Sequence, residues 1–154
     1  MKTIHILTIL ATPLLFSNCK ESKRNVSEVK LEAATLGDVS FARKTIESLA
    51  RGESSVADRI DWPVFSMMGE NLGGSYVALT SGVEKEKFVN GFITQFALNF
   101  RESGGKIENF TNWRVTLHDK LKTEFAADTP NGLLAVVVAD RDGVERVSSI
   151  NIIK

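Results

Sequence analysis

Five side chains in this sequence stand out as candidates for chemistry: Cys19, Asp58, Asp61, Tyr76 and His118. Cys19 is the sole cysteine and Tyr76 the sole tyrosine. A lone thiol has no disulfide partner and asks for another role. An aspartate beside a tyrosine or histidine can take a proton from a carbon next to a carbonyl, one group serving as base and the other as donor. Asp58 is also explained as a carboxylate at a helix start, where the dipole favours it. His118 is equally explained as an outward strand residue beside a turn.

Other chemistries lack their residues. The chain has two histidines, and one of them, His5, lies near the start. A zinc site is therefore not expected. Gly-x-Ser-x-Gly, the P-loop and the GxGxxG fingerprint are absent. Gly69, Gly73 and Gly74 do not sit between a strand and a helix, so they do not read as a phosphate cradle. Asp140-Arg141-Asp142-Gly143 reads as a hairpin turn, because the later ligands of a calcium loop are missing. Trp62 and Trp113 read as core residues. No cofactor and no metal are expected.

The start of the chain gives Cys19 its setting. Lys2 supplies a positive charge, and Ile4 to Phe16 is mostly apolar. That run is about 13 residues, short of the roughly 20 needed to span a bilayer. It reads as a cleaved secretory signal over residues 1–18. No A-x-A-like pair precedes a cleavage point. Leu15-Phe16-Ser17-Asn18-Cys19 instead resembles the lipobox of bacterial lipoproteins, in the looser form found in spirochaetes. The resemblance implies that Cys19 becomes the mature N-terminus and carries lipid. Two or more acyl chains anchor a protein stably where one does not. Residues 19–36 are polar and read as a tether. The implied address is the outside of a bacterial membrane, at the outer membrane or the cell surface.

Lysine and arginine number 19, as do aspartate and glutamate. Such a balance argues against a nucleic-acid partner, which asks for a basic patch. With 43% hydrophobic residues, residues 37–154 can build one core without disulfides.

Helix signals dominate the first half. Asp38 can cap a helix from Val39, with Ala42, Ile46, Leu49 and Ala50 at helical spacing and Arg51-Gly52 as its end. Ser55 and Asp58 start a second short helix through Ile60, which Trp62-Pro63 stops. Val64 to Met68 reads as another helical turn, and Tyr76 to Leu79 as a short extended piece. Ser81 and Glu84 have capping-box spacing. Phe88, Phe92, Phe96 and Phe100 then stripe a helix of about 19 residues, and read as core. After Gly104-Gly105 the period changes to two. Trp113–His118, Leu121–Ala126, Leu133–Ala139 and Val144–Ile153 read as strands, with turns at Asp119-Lys120, Thr129–Gly132 and Asp140–Gly143.

The expected fold is α+β, with N-terminal helices packed on a curved antiparallel sheet of about four strands. This order is similar to the cone-shaped, cystatin-like domains related to nuclear transport factor 2, the ketosteroid isomerases and the SnoaL-like proteins. The resemblance covers Val39 to Ile153 and rests on element order, on the helix ending at Arg51-Gly52 and on the short helix ending near Trp62. It implies a pocket between helices and sheet. In enzymes of that kind the pocket holds an acidic base and a Tyr or Asp donor, for which Tyr76, His118, Asp58 and Asp61 are the candidates. The favoured expectation is a membrane-anchored, non-catalytic domain that binds a small apolar ligand or a protein partner, with dimerisation through the sheet face as a further option. The alternative is a ketosteroid-isomerase-like enzyme.

Overall fold

A computed structural model describes residues 39–154. The leader, Cys19, the tether and the Asp38 cap lie outside the described residues.

Helix α1 covers residues 39–51. Ala42, Ile46 and Leu49 recur at three- and four-residue steps and are at most 1% exposed. Gly52 ends the helix at φ +74° and donates to the Leu49 carbonyl at 3.0 Å. Its missing Cβ also matters, since one there would stand 3.2 Å from Ala97 Cβ.

The second expected helix is a 3-10 helix, Ser54–Arg59, and a second 3-10 turn, Trp62–Val64, follows it. Pro63 sits in the first turn of the latter, where its missing N–H costs nothing. Val56 and Ile60 are buried as expected, and Ile60 bridges Val147. Trp62 is anchored at both ends. Its indole N–H donates to the Ala57 carbonyl at 2.8 Å, while its ring meets Phe65, Phe88 and Phe92 edge-on at 5.5–6.2 Å.

The segment from Ser66 to Leu79 differs from its sequence reading. Strand β1 (Ser66–Met67) and strand β2 (Glu70–Asn71) form a small hairpin, closed by Met68 and Gly69 at φ +50° and +84°. Tyr76 is not in an extended piece but in helix α2 (Leu72–Ala78). Two local features make that helix. Asn71 caps it, accepting from the Gly74 N–H at 2.9 Å. Gly73 lets it lie against the chain before it: a Cβ there would stand 2.6 Å from the Pro63 carbonyl oxygen. Gly73 serves this close approach.

Helix α3 (Gly82–Glu102) has the expected capping box, with Ser81 and Glu84 exchanging bonds at 3.1 Å. Strands β3 (Thr111–His118), β4 (Lys122–Thr129), β5 (Gly132–Arg141) and β6 (Val144–Ile153) form the antiparallel meander. The sheet has six strands rather than four, in the order β2-β1-β6-β5-β4-β3, and it is open and mixed. The extra pair joins through β1, which runs parallel to β6 with Met67 opposite Ile150. Two-residue strands carry no usable alternation, so sequence could not reveal them. The fold is α+β. Its core joins Leu49 and Ile46 of α1, Val89 and Ile93 of α3, and Phe125 and Val136 of the sheet. Burying a Phe125 or an Ile46 is worth about 1.5–3 kcal/mol each.

Candidate functional site

Helix α3 carries two neighbouring apolar rows. Val89, Ile93 and Ala97 are buried. Phe88, Phe92, Phe96 and Phe100 are only half-buried. One row is enough to seal the core, and the second is left for something else. At its start, Phe88 and Phe92 pack against Trp62. From Phe92 onward the row borders a cavity of about 650 Å³. The phenylalanines thus flank the core and line a space, where sequence placed them inside.

Phe92, Phe96, Phe100 and Phe110 form one apolar side of this cavity. Phe96 and Phe100 stack at 6.4 Å with planes 6° apart, and Phe100 meets Phe110 at 5.8 Å. Leu134, Ile150 and Ile152 of the sheet form another side, and Ile46, Met67 and Met68 complete the apolar wall. Polar groups gather where α3 ends and the β4–β5 turn begins: Asn99, Ser103, Lys106, Asn109, Thr129 and Asn131. Gln95 also lines it and donates to Asn99 Oδ1 at 2.7 Å. The wall therefore suits a mainly apolar molecule that carries a polar group.

None of the candidate acid–base residues is in this wall. Tyr76 is half-buried on α2, ring to ring with Trp62 and Phe88, under the Lys85 ammonium at 5.2 Å from its centroid. Asp58 is exposed on the 3-10 helix. Asp61 is buried, and its carboxylate meets Arg141 Nη1 at 3.4 Å. His118 is exposed at the end of β3, with its Nδ1 2.8 Å from Thr123 Oγ1. Tyr76 and Asp61 lie near Trp62, but no hydrogen bond joins any two of the four.

A second, polar depression lies between α1 and the start of β3, bordered by Arg43, Glu47, Arg51, Glu108, Asn112 and Trp113. Its charges are largely mutual: Glu47 pairs with Arg43 at 2.9 Å and Arg51 at 3.5 Å. The Trp113 indole N–H is buried there without a hydrogen-bond partner. Trp113 is thus half-buried at a depression rather than sealed in the core.

Sequence reading missed Lys106, Asn109, Met67 and Met68 as wall residues. One signal was present, since the apolar stripe of α3 is wider than a core-facing row requires. Among the described residues no three His, Cys, Asp or Glu side chains are grouped to hold a metal. No described helix is long and apolar enough to cross a membrane. No protein-family model, curated protein or solved structure matches this chain.

Proposed function

We propose that this protein is a lipid-anchored bacterial envelope protein whose α+β domain binds a small apolar ligand without transforming it. The observation that carries the binding reading is the cavity of about 650 Å³ walled by Phe92, Phe96, Phe100 and Phe110, with no carboxylate, imidazole or phenol among the described residues of its lining. A general base must reach the proton it takes. Helices lying over an antiparallel meander, with a space between, also favour the cone-shaped arrangement. The ketosteroid-isomerase-like alternative draws no support from the wall, because Tyr76, His118, Asp58 and Asp61 are all elsewhere.

Met68 adds to the case. It takes φ +50° in a two-residue turn where Asn and Gly are favoured, at a cost of about 1 kcal/mol. Its side chain stands 53% exposed at the cavity wall. A bound apolar molecule would bury it.

The test uses the neutral dye N-phenyl-1-naphthylamine, whose fluorescence rises in apolar surroundings. Titration into the full chain should saturate at one dye per protein. Ile152→Trp, which narrows the cavity from a half-buried position, should weaken binding while leaving the circular dichroism unchanged. Non-saturating fluorescence, or equal binding by a folded Ile152→Trp variant, would overturn the proposal.

A further inference from the structure

We infer that the ligand is a monoanionic amphiphile, a single apolar chain ending in a carboxylate, with its head at Lys106 and its tail along the phenylalanine row. This rests on the apolar-cavity reading and adds the ligand's charge and direction.

The charge follows from the wall. Among the described residues Lys106 is its one ionisable side chain. It is exposed and makes no ion pair with any described residue. No carboxylate of the described residues lines the cavity to repel an anion. The end of α3 would ordinarily attract a cation, because unpaired carbonyls collect there. Here three of the last four carbonyls are occupied. Ser103 N–H donates to Asn99 at 3.0 Å, Gly104 N–H to Arg101 at 3.0 Å and Gly105 N–H to Phe100 at 2.8 Å. Arg101 Nε covers the Ala97 carbonyl at 3.2 Å. Lys106 carries the charge among the described lining residues. The side-chain amides of Asn109 and Asn131 line the same end and make no hydrogen bond with described residues. Their N–H groups can donate to a carboxylate that Lys106 holds.

The direction follows from the helix. From Lys106 the wall passes Phe100 and Phe96 and reaches Phe92, where Trp62 and Phe65 close against the ring at 5.5 Å. Phe92 to Phe100 spans about 12 Å of helix. The polar residues of α3 in the lining are interleaved with this row, and ionisable character appears only at the Lys106 end. A long chain with one charged terminus matches that layout, whereas a molecule charged at both ends would leave one charge among rings.

The experiment compares three molecules with one tail: dodecanoate, dodecanol and dodecyltrimethylammonium. Each is titrated calorimetrically into the full chain and into its Lys106→Gln and Lys106→Arg variants. Dodecanoate should bind about fivefold more tightly than dodecanol, the size of one exposed charge pair, and the ammonium more weakly than either. Lys106→Gln should remove the preference for dodecanoate over dodecanol, and Lys106→Arg should keep it. Equal binding of all three heads, or a preference that survives in Lys106→Gln, would overturn the head-group assignment while leaving the apolar cavity standing. Failure of every molecule to bind would overturn both.

Discussion

The Asp61 carboxylate, 3% exposed, meets the Arg141 guanidinium at 3.4 Å and so ties the 3-10 segment to the far end of β5. The arrangement is asymmetric, because the Arg141 side chain is 47% exposed. Removing the cation strands a buried charge, while removing the carboxylate strands nothing. Arg141→Ala should therefore cost about 1–3 kcal/mol, and Asp61→Asn less. Urea unfolding midpoints will compare them. An Arg141→Ala midpoint equal to that of the parent protein would show that water satisfies Asp61 instead.

Two helical glycines should respond oppositely to alanine. Gly91 lies mid-helix in α3 with nothing within 4 Å of its missing Cβ. Gly91→Ala should stabilise by about 0.5–1 kcal/mol through helix propensity. At Gly73 the same methyl would meet the Pro63 carbonyl oxygen at 2.6 Å and Val64 Cα at 2.9 Å. Both are backbone and cannot swing away. Gly73→Ala should destabilise by about 1–3 kcal/mol despite the better propensity. Thermal unfolding of the two variants reads the sign directly.

Acid should weaken the fold through carboxylates at caps and turns. Bonds from the Ser81 backbone and hydroxyl hold Glu84 below its ordinary 4.5. A bond from the Ser48 hydroxyl does the same for Glu53. The backbone N–H groups of Leu121 and Lys122 lower Asp119, and Asn112 and Arg114 lower Asp128, each below 3.8. A depressed folded value means the unfolded state takes up protons first. The contribution is complete above the ordinary carboxylate value and is lost as pH falls through the depressed one. Stability should hold from neutral pH to about 4.5 and decline below it. In Glu84→Gln the gap to the parent protein should close as pH falls through that window. A gap of constant size would assign the effect to packing.

Lipidation at Cys19 is tested on protein taken from membranes. Intact mass should show a chain beginning at Cys19 with lipid mass added. Cys19→Ala should move the protein to the soluble fraction. A free thiol at Cys19, or a mature chain that starts elsewhere, would remove the anchor.

Much of the fold was legible because the relevant signals are local. The Ser81–Glu84 box, the Arg51-Gly52 end and the Asp142-Gly143 turn each act within a few residues, and each is where the sequence places it. The segment from Pro63 to Leu79 was not legible for the opposite reason. Helix α2 depends on Gly73 touching Pro63, and β1 exists only through its pairing with β6. Neither condition can be read from a window of neighbouring residues.

The candidate site divides in the same way. The sequence by itself determined that α3 would carry a broad apolar face and that the second half would be a meander, since both follow from periodicity. It also held the lone Cys19 and the mostly apolar run before it. Only the tertiary structure decided that Phe92, Phe96 and Phe100 would border a cavity while Val89, Ile93 and Ala97 filled the core. Adjacent rows on one helix are chemically alike, and what divides them is what the fold sets against each, the end of α1 at Gly52 beside Ala97 and the sheet residues Leu134 and Ile152 across the cavity from Phe96. The same packing sent Tyr76, Asp58, Asp61 and His118 to other places and brought Lys106 to the wall. A single charged residue after a glycine pair has no pattern of its own, and its meaning comes from the rings that the fold lays beside it.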